Sequence, residues 1–317
     1  MYVSLDLGGT TVACALASND GRIIAEKSIG TQSNEGSAAV LARIGRLVLE
    51  LSRETRETPI AIGMGVPGLL DNERVRTRFL PNFPSQWRDV PVAETLSRQI
   101  GCPVFLLNDA RLATLGELVF GHGRSVRNML FFTLGTGVGG GVVIDGKLRL
   151  GPLGAAGELG HQTIVVDGLQ CGCGSRGCLE TLASGPAISA EGVRLMKSGL
   201  APRLFEIVGG DAAAIGPKEM ALAAEQGEAT VRDAIVRAAR YLGIGAANLV
   251  TALHPQLVVL GGGVAAIGDL LVNTVRDEIC QRVRMFPPDD VRVERSLLGD
   301  KAGIWGGIAL AMRGGAV

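Results

Sequence analysis

The apolar positions in the first part of the chain change their period, and the change predicts strands followed by a helix. Apolar runs at 3–7 and 12–17 predict two strands, and the Asn-Asp-Gly turn at 19–21 predicts a hairpin into a third strand at 22–28. Between residues 36 and 57 the apolar positions recur every three or four residues, which indicates one buried face of a helix. That face consists of Val40, Leu41, Ile44, Leu47, Val48 and Leu51.

Strand and helix patterns then alternate as they do in α/β proteins. A strand at 60–66 is followed by a helix at 92–99, a strand at 104–107 and a helix at about 110–120. The dipeptide Asn108-Asp109 comes directly after the second of these strands. Because open α/β sheets bind their ligands at the carboxyl ends of strands, we expect this dipeptide to lie at a ligand site.

The second half of the chain begins with a pattern that resembles the first residues. From Met129 an apolar strand, a Gly-Thr-Gly turn at 135–137, a second apolar strand and an Asp-Gly turn at 145–146 follow one another. The same order occurs at residues 3–21, which suggests an internal duplication.

The remaining patterns predict helices around one short strand. A largely apolar helical pattern at 228–253 ends at His254-Pro255, where proline cannot continue the helix. A short buried strand at 257–260 ends in three glycines, and helices are expected from about 269 and at 302–312.

Composition and charge indicate a folded chain of two domains without a global charge bias. The 317 residues are 47% hydrophobic, and 31 Lys plus Arg balance 31 Asp plus Glu. No overall charge therefore favours nucleic acid or an anionic membrane as a partner, and phosphate binding has to be local.

We expect a cytoplasmic protein, because the sequence predicts neither a membrane span nor a secretory signal. The uncharged stretch 241–268 is interrupted by His254-Pro255 and by three glycines, so it does not predict a membrane span. The first residues show no basic segment followed by a long apolar run, so no secretory signal is expected.

Two glycine- and threonine-containing turns each connect two apolar strands. Glycine lets backbone N–H groups approach phosphate oxygens, and threonine hydroxyls add donors, although a tight hairpin turn also needs glycine. The turn residues are Gly8, Gly9, Thr10 and Thr11 in the first loop and Gly135, Thr136 and Gly137 in the second. Asp6 precedes the first loop within an apolar strand, where a carboxylate needs a cation or donors. A Mg²⁺ ion with its water shell on ATP would provide the cation.

Three consecutive glycines, Gly261, Gly262 and Gly263, follow a predicted buried strand. They would let a flat ligand such as adenine approach the backbone, and close packing of a helix on the strand would explain them equally well. No Gly-Lys-Ser/Thr follows, so the run is not a Walker A loop, and no Rossmann glycine pattern opens a βαβ unit.

A histidine and three cysteines crowd into eighteen residues: His161, Cys171, Cys173 and Cys178. Four nitrogen and sulfur ligands with glycines between them are typical of a closed tetrahedral zinc site, which would be structural because no position stays open for water. Free thiols or a redox pair are the alternatives, and no Cys-x-x-Cys spacing is present. Cys14, Cys102 and Cys280 lie in apolar contexts, where we expect buried thiols without a role.

Several acidic residues are candidates for acid–base chemistry and for sugar binding. Asp109 is the best placed base for taking a hydroxyl proton during phosphoryl transfer, although Asn-Asp before a helix is also a good N-cap sequence. Glu158, His161 and Glu180 could hydrogen-bond vicinal hydroxyls of a sugar. Surface solvation of the glutamates and pure metal ligation by His161 remain alternatives.

Taken in order, these motifs resemble the ROK family (repressors, open reading frames, kinases), and within it the bacterial ROK glucokinases. The matching segments run over nearly the whole chain and comprise DLGGTT at 6–11, GVPG at 65–68, NDA at 108–110, GTGVGGG at 135–141, GELGH at 157–161, CGCGSRGCLE at 171–180 and LGGGVA at 260–265.

The resemblance implies an α/β protein of the actin-like ATPase (ribonuclease H-like) fold, with two α/β domains around a central cleft. It implies a small domain of residues 1–118 plus 301–317 and a large domain of residues 119–300 that carries the zinc loop. It implies ATP, Mg²⁺ and a structural Zn²⁺, with Asp109 as catalytic base and the glycine loops at ATP. The implied sugar contacts are Gly65, Asn82, Asn108, Asp109, Glu158, His161 and Glu180, and the implied zinc ligands are His161, Cys171, Cys173 and Cys178.

The segment LPNFPSQWRDVPV at 80–92 resembles a segment of ROK glucokinases and favours glucose. The resemblance leaves open mannose, fructose, allose, N-acetylglucosamine and N-acetylmannosamine. A homodimer or higher homo-oligomer is expected. ROK repressors that sense sugars carry an N-terminal helix-turn-helix domain, whereas the phosphate motif here begins at Asp6, so we expect a kinase without a nucleic-acid partner.

Overall fold

The computed structural model describes residues 1–71, 76–80, 83–84 and 86–317, and in it the chain divides into two compact units. Unit 1 contains residues 1–125, 146–157 and 301–317, and unit 2 contains residues 126–145 and 158–300. This division differs from the predicted domains in two respects. The first crossing lies at 125, beyond the end of a helix, and segment 146–157 is part of unit 1, although its strand β10 pairs with β9.

The elements follow the chain in this order. Residues 1–125 contain β1 (Tyr2–Leu7), β2 (Thr11–Ala17), β3 (Ile23–Gly30), α1 (Ser37–Thr55), β4 (Ala61–Val66), β5 (Leu69–Asp71), β6 (Arg76–Phe79), α2 (Val92–Ile100), β7 (Val104–Asn108) and α3 (Asp109–Phe120). Residues 126–157 contain β8 (Met129–Leu134), β9 (Val138–Ile144) and β10 (Lys147–Leu148). The rest contains α4 (Glu180–Ala183), α5 (Gly185–Lys197), α6 (Pro202–Ile207), α7 (Pro217–Glu225), α8 (Ala229–Leu253), β11 (Leu257–Gly261), α9 (Asp269–Arg282), β12 (Arg292–Arg295) and α10 (Ala302–Met312).

The two units contain sheets of the same design. In unit 1 the strand order is β3-β2-β1-β4-β7; β1 pairs antiparallel with β2 and parallel with β4, and β4 pairs parallel with β7. In unit 2 the order β9-β8-β11-β12 repeats this arrangement, since β8 pairs antiparallel with β9 and parallel with β11, and β11 pairs parallel with β12. The predicted internal duplication is thus confirmed at the level of strand topology.

Each unit has its own hydrophobic core. In unit 1 the predicted apolar face of α1 is buried against the sheet, and Phe83 and Trp87 fill the space beside it with their rings 4.9 Å apart. In unit 2 the core is built around α8, whose buried face is formed mainly by small residues, among them Ala234, Ala239 and Ala246. The small residues let neighbouring elements approach α8 closely.

Helix α10 brings the last residues of the chain into the centre of unit 1. It lies against α3 and against strands β1 and β4 at positions where side chains are absent. A Cβ atom on Gly306 would clash with the backbone oxygen of Leu112 in α3, and one on Gly307 would clash with the Ser4 hydroxyl in β1. Glycine at these positions therefore lets the helix touch the backbone of its neighbours.

The sequence patterns did not predict the short helices α4 to α7 or strand β12. Three of these helices contain proline in their first turn, at Pro186, Pro202 and Pro217, and α4 and α6 have only 4 and 6 residues, too few for a repeating apolar pattern. Within the described parts of the chain, no helix combines the length and the apolar character needed to cross a bilayer.

Replacement of Gly306 by alanine tests the packing of α10. We expect Gly306→Ala to lower the free energy of unfolding by about 1–3 kcal/mol, because the added methyl meets backbone that cannot turn away. Chemical denaturation followed by circular dichroism measures the change.

Gly45→Ala in α1 is the matched control for this helix substitution. Its Cβ would meet only the end of the flexible Gln99 side chain, and alanine is favoured over glycine inside a helix by about 0.5–1 kcal/mol. We expect Gly45→Ala to be neutral or stabilising. Equal losses of stability in the two variants would contradict the close packing of α10.

Candidate active site

Asn108 and Asp109 occupy the junction between β7 and α3 in unit 1. Asn108 is the N-cap: its Oδ1 accepts hydrogen bonds from the N–H groups of Ala110 (3.1 Å) and Arg111 (3.3 Å), and its Nδ2 donates to the Gly68 carbonyl (3.1 Å). Asp109 is the first helical residue, and its Oδ1 accepts from the Ala110 N–H at 2.8 Å. Of the two residues of the dipeptide, it is therefore Asn108 that caps the helix.

Asp6 lies beside this junction because of strand register. Asp6 of β1 pairs with Gly65 of β4, and Val66 of β4 pairs with Asn108 of β7, so the three strands end side by side. Burial raises the pKa of the Asp6 carboxyl to about 6, and the negative charge of Asp109 contributes to the shift. The end of this sheet therefore holds two carboxylates that repel each other.

Two glycines make room for these carboxylates. A Cβ on Gly65 would lie 2.8 Å from a methyl group of Leu112 and 3.2 Å from the Asp6 carboxylate. A Cβ on Gly303, in the first turn of α10, would lie 2.5 Å from the other Asp6 oxygen. The Asp6 carboxylate thus faces a helix N-terminus, whose dipole favours negative charge.

The first glycine loop connects β1 and β2. It is closed by a hydrogen bond from the Gly8 N–H to the Thr11 carbonyl at 2.9 Å. Thr31, which is fully buried, fastens the loop from the end of β3: its hydroxyl donates to the Gly8 carbonyl at 2.7 Å and its N–H to the Thr10 carbonyl at 2.9 Å. Thr10 and Thr11 are exposed, so their hydroxyls are accessible to a ligand.

The second glycine loop connects β8 and β9 in unit 2 at the equivalent position. The Gly135 N–H donates to the Gly137 carbonyl at 2.9 Å, and Thr136 between them is exposed. Glu180 approaches from the start of α4, and its Oε2 accepts a hydrogen bond from the Val138 N–H at 3.1 Å. A side chain at Gly137 would clash with that carboxylate, so glycine is required there.

The predicted zinc ligands come together in unit 2. The ligand atoms of His161, Cys171, Cys173 and Cys178 all lie within 4.8 Å of one another. Cys171 Sγ is 3.6 Å from His161 Nδ1, and Cys173 Sγ is 3.7 Å from Cys178 Sγ. Tetrahedral Zn–S bonds of about 2.3 Å and a Zn–N bond of about 2.1 Å require edges of about 3.8 and 3.6 Å. The donor set and its spacing therefore fit a zinc ion.

Glutamates flank this cluster on its two sides. His161 Nε2, the ring nitrogen that faces away from Cys171, lies 3.9 Å from the carboxylate of Glu158. Glu180 Oε1 lies 3.9 Å from Cys171 Sγ, while its other oxygen holds the second glycine loop. Glu180 thus lies between the cysteine cluster and a candidate phosphate loop.

The three glycines after β11 have different roles. Gly262 has φ +82°, and a Cβ there would lie 2.5 Å from the Leu134 carbonyl; a Cβ on Gly261 would lie 2.7 Å from the ring of Phe131. Packing accounts for these two. A Cβ on Gly263 would meet nothing within 4 Å, so Gly263 is the position of the three that faces open space.

The predicted site residues are distributed over the two units. Unit 1 holds Asp6, Gly8, Gly9, Thr10, Thr11, Gly65, Asn108 and Asp109, and unit 2 holds Gly135, Thr136, Gly137, Glu158, His161, Cys171, Cys173, Cys178, Glu180, Gly261, Gly262 and Gly263. Asn82, the remaining predicted sugar contact, lies outside the described residues.

Sequence reasoning missed three residues that touch these groups: Thr31, Gly303 and Arg111. Thr31 and Gly303 contact the first glycine loop and Asp6 from distant parts of the chain, and no local pattern marks them. Arg111 offered a signal, since it is a charged residue with apolar neighbours on both sides, two residues after Asp109.

Comparisons with known proteins agree with the motifs over the full length. The ROK family model matches residues 2–313. A glucokinase of Thermotoga maritima is 36% identical over 314 residues, which is 97% of this chain and 96% of the relative. A xylose repressor of Caldicellulosiruptor bescii is 32% identical over 313 residues, which is 98% of this chain and 77% of the repressor.

Solved structures of ROK proteins also match the chain over nearly its full length. A ROK family glucokinase from Streptomyces griseus, in complex with glucose and AMPPNP, superposes with a TM-score of 0.85 at 33% identity and covers 98% of this chain and 99% of its own. The actin-like ATPase fold implied by the motifs is thereby confirmed. The chain belongs to the ROK family.

Proposed function

We propose that this protein is an ATP-dependent hexose kinase that converts glucose to glucose 6-phosphate. The observation that carries the proposal is the full-length similarity to glucokinases, including a structure in complex with glucose and AMPPNP, at 33–36% identity. The carboxylates and glycine loops described above occur in the order that a sugar kinase of this family requires.

Asp109 is the proposed catalytic base. Phosphoryl transfer to an alcohol needs a group that accepts the hydroxyl proton while the oxygen attacks the γ-phosphate. Asp109 is suited to this because its Oδ1 is fixed by the Ala110 N–H, which holds the carboxylate at the carboxyl end of β7.

The two glycine loops are proposed to bind the phosphates of ATP. Backbone N–H groups and the exposed hydroxyls of Thr10, Thr11 and Thr136 supply donors, and Gly263 leaves space for the adenosine. Mg²⁺ on ATP would neutralise phosphate charge, and Asp6 is the residue that would hold its water shell.

The sugar is proposed to contact Gly65, Asn82, Asn108, Asp109, Glu158, His161 and Glu180. Carboxylates and amides suit a sugar because they pair with vicinal hydroxyls and reject ligands that lack them. Asn108 is already fastened to Gly68 and to α3, so its amide is pre-oriented before any ligand arrives.

The cysteine cluster is proposed to hold one structural zinc ion with His161, Cys171, Cys173 and Cys178 as ligands. When bound, zinc supplies the cross-link that orders the loop, and a full ligand shell leaves no position for catalysis. The loop connects Glu158 with Glu180, so its order determines where these two glutamates lie. For its quaternary state we propose a homodimer or a higher homo-oligomer.

A sugar-sensing regulator is the alternative function, and the xylose repressor that is 32% identical over 98% of this chain favours it. A regulator would bind sugar without turning ATP over. The two functions are therefore separated by a measurement of catalysis.

A panel of sugars tests the proposed function. With ATP and Mg²⁺ present, we expect ADP release with glucose, and a kcat/KM for glucose higher than for mannose, fructose, allose, N-acetylglucosamine and N-acetylmannosamine. Preference for another sugar would correct the substrate, and sugar binding without ADP release would favour the regulator.

Replacement of Asp109 tests the base. We expect Asp109→Asn to lower kcat by about 10²–10⁴-fold, since the amide cannot accept the proton, while glucose binding in calorimetry stays within about threefold. Asp109→Ala should likewise abolish turnover and leave the fold intact. Asp269→Asn is the matched control, because Asp269 is the first residue of α9 just as Asp109 is of α3. Normal turnover in Asp109→Asn would exclude Asp109 as the base.

Replacement of Cys173 tests the zinc site. We expect about one zinc per chain in the wild type by mass spectrometry, and a clear loss of zinc, thermal stability and activity in Cys173→Ser. Cys280→Ser removes a thiol outside the cluster and should retain the metal. Wild-type protein that is free of metal yet fully active would refute the site.

A further inference from the structure

Arg111 is a buried cation next to the junction of β7 and α3, where Asn108 and Asp109 lie. Arg111 lies two residues after Asp109 in α3, and it is only 1% exposed. Its guanidinium donates hydrogen bonds to Asn108 Oδ1 at 3.0 Å, to the Ala155 carbonyl at 3.1 Å and to the Ala156 carbonyl at 2.9 Å. One side chain therefore contacts two segments that are 47 to 48 residues apart in sequence.

The contact with Asn108 determines how that side chain is oriented. Asn108 Oδ1 already accepts from the N–H groups of Ala110 and Arg111, and a third, charged donor strengthens the preference for oxygen at that position. The amide nitrogen of Asn108 is thereby turned to the Gly68 carbonyl. The guanidinium thus holds the strand–helix junction on which Asp109 is placed.

The contacts with Ala155 and Ala156 hold the end of segment 146–157. This segment belongs to unit 1, and the chain enters unit 2 immediately after it, at Glu158. Two hydrogen bonds from a planar guanidinium to successive carbonyls fix the direction of the backbone as well as its position. Glu158, a proposed sugar contact, therefore follows a segment that Arg111 anchors.

The burial of Arg111 is costly, which indicates a task other than filling space. Taking a cation out of water costs several kcal/mol unless hydrogen bonds and charges compensate, and an apolar side chain of similar length often gives equal or higher stability. At this position the donors of the guanidinium fix the geometry of two backbone segments, which an apolar side chain could not do.

We propose that Arg111 is a positioning residue for the sugar, which holds the Asn108-Asp109 junction against the end of segment 146–157. The proposal rests on the proposed kinase function and adds to it a residue that need not touch the substrate. Arg111 acts through Asn108 and through residues 155–157, so its loss disturbs the sugar more than the nucleotide.

Kinetics of Arg111→Met and Arg111→Lys test the proposal. In Arg111→Met, which keeps an unbranched side chain as far as the position of Nε and removes the donors, we expect a rise of about 10–100-fold in the KM for glucose and a fall of kcat. The KM for ATP should change by less than about threefold, since Arg111 holds Asn108, Ala155 and Ala156, which are not among the residues proposed to bind ATP. Assays are run well below the melting temperature of each variant.

Arg111→Lys and a control in unit 2 complete the experiment. Lysine keeps the charge without the planar fork, so we expect constants between those of the wild type and Arg111→Met. Arg276→Met is the control, because Arg276 also bonds a backbone carbonyl (Val293, 3.0 Å) and an asparagine oxygen (Asn273, 2.8 Å), and it should leave the glucose KM unchanged.

The outcomes distinguish this proposal from the proposed function. Unchanged glucose KM in Arg111→Met, or equal rises of the two KM values, overturns the positioning role while the wild type still phosphorylates glucose. If Arg111→Met does not fold, a glucose-selective rise in Arg111→Lys supports the role and unchanged constants overturn it. A wild-type protein that neither binds nor phosphorylates any hexose overturns the two proposals together.

Discussion

Parallel pairing of β1, β4 and β7 places the ends of three strands in one row, and the candidate chemistry of unit 1 depends on that row. The ladder pairs Asp6 with Gly65 and Val66 with Asn108, so residues about 60 and 40 positions apart become neighbours through backbone hydrogen bonds. A shift of register by one residue would turn Asp6 to the other face of the sheet. Asp6, Asn108 and Asp109, the proposed base, are therefore held at the ends of rigid strands.

The side chains at these strand ends are crowded, and glycines at neighbouring positions make room for them. Asp6 fits because Gly65 lies on the neighbouring strand and Gly303 lies in the first turn of α10. Helix α10 in turn reaches the sheet because Gly306 and Gly307 allow backbone contact with α3 and β1. Burial, and to a smaller extent the negative charge of Asp109, raises the pKa of Asp6, so its ionised form is disfavoured without a cation nearby. A cation at this position would relieve the repulsion, in keeping with the proposed binding of ATP with Mg²⁺.

In the cysteine loop of unit 2, the residues that come together are near one another in sequence, unlike those at the strand ends of unit 1. Its four ligands are close in sequence, and turns with positive φ at Gly174 and Gly177 fold them onto one point. Glu180 lies two residues after the last cysteine, Cys178, and accepts a hydrogen bond from the Val138 N–H beside the second glycine loop. One carboxylate therefore lies between the cysteine cluster and a candidate phosphate loop.

Local patterns in the sequence determined the strands of both repeats except β12, the helices α1, α3, α8, α9 and α10, the glycine loops and the cysteine cluster, because each depends on neighbouring residues. Only tertiary structure decided that Asn108 and not Asp109 caps α3, that packing accounts for Gly261 and Gly262, and that segment 146–157 joins unit 1. It also decided the contacts of Thr31, Gly303 and Arg111, whose partners lie 20 or more residues away. Periodicity carries information about which face of an element is buried; which atoms meet across that face is determined by register and packing, which no local pattern contains.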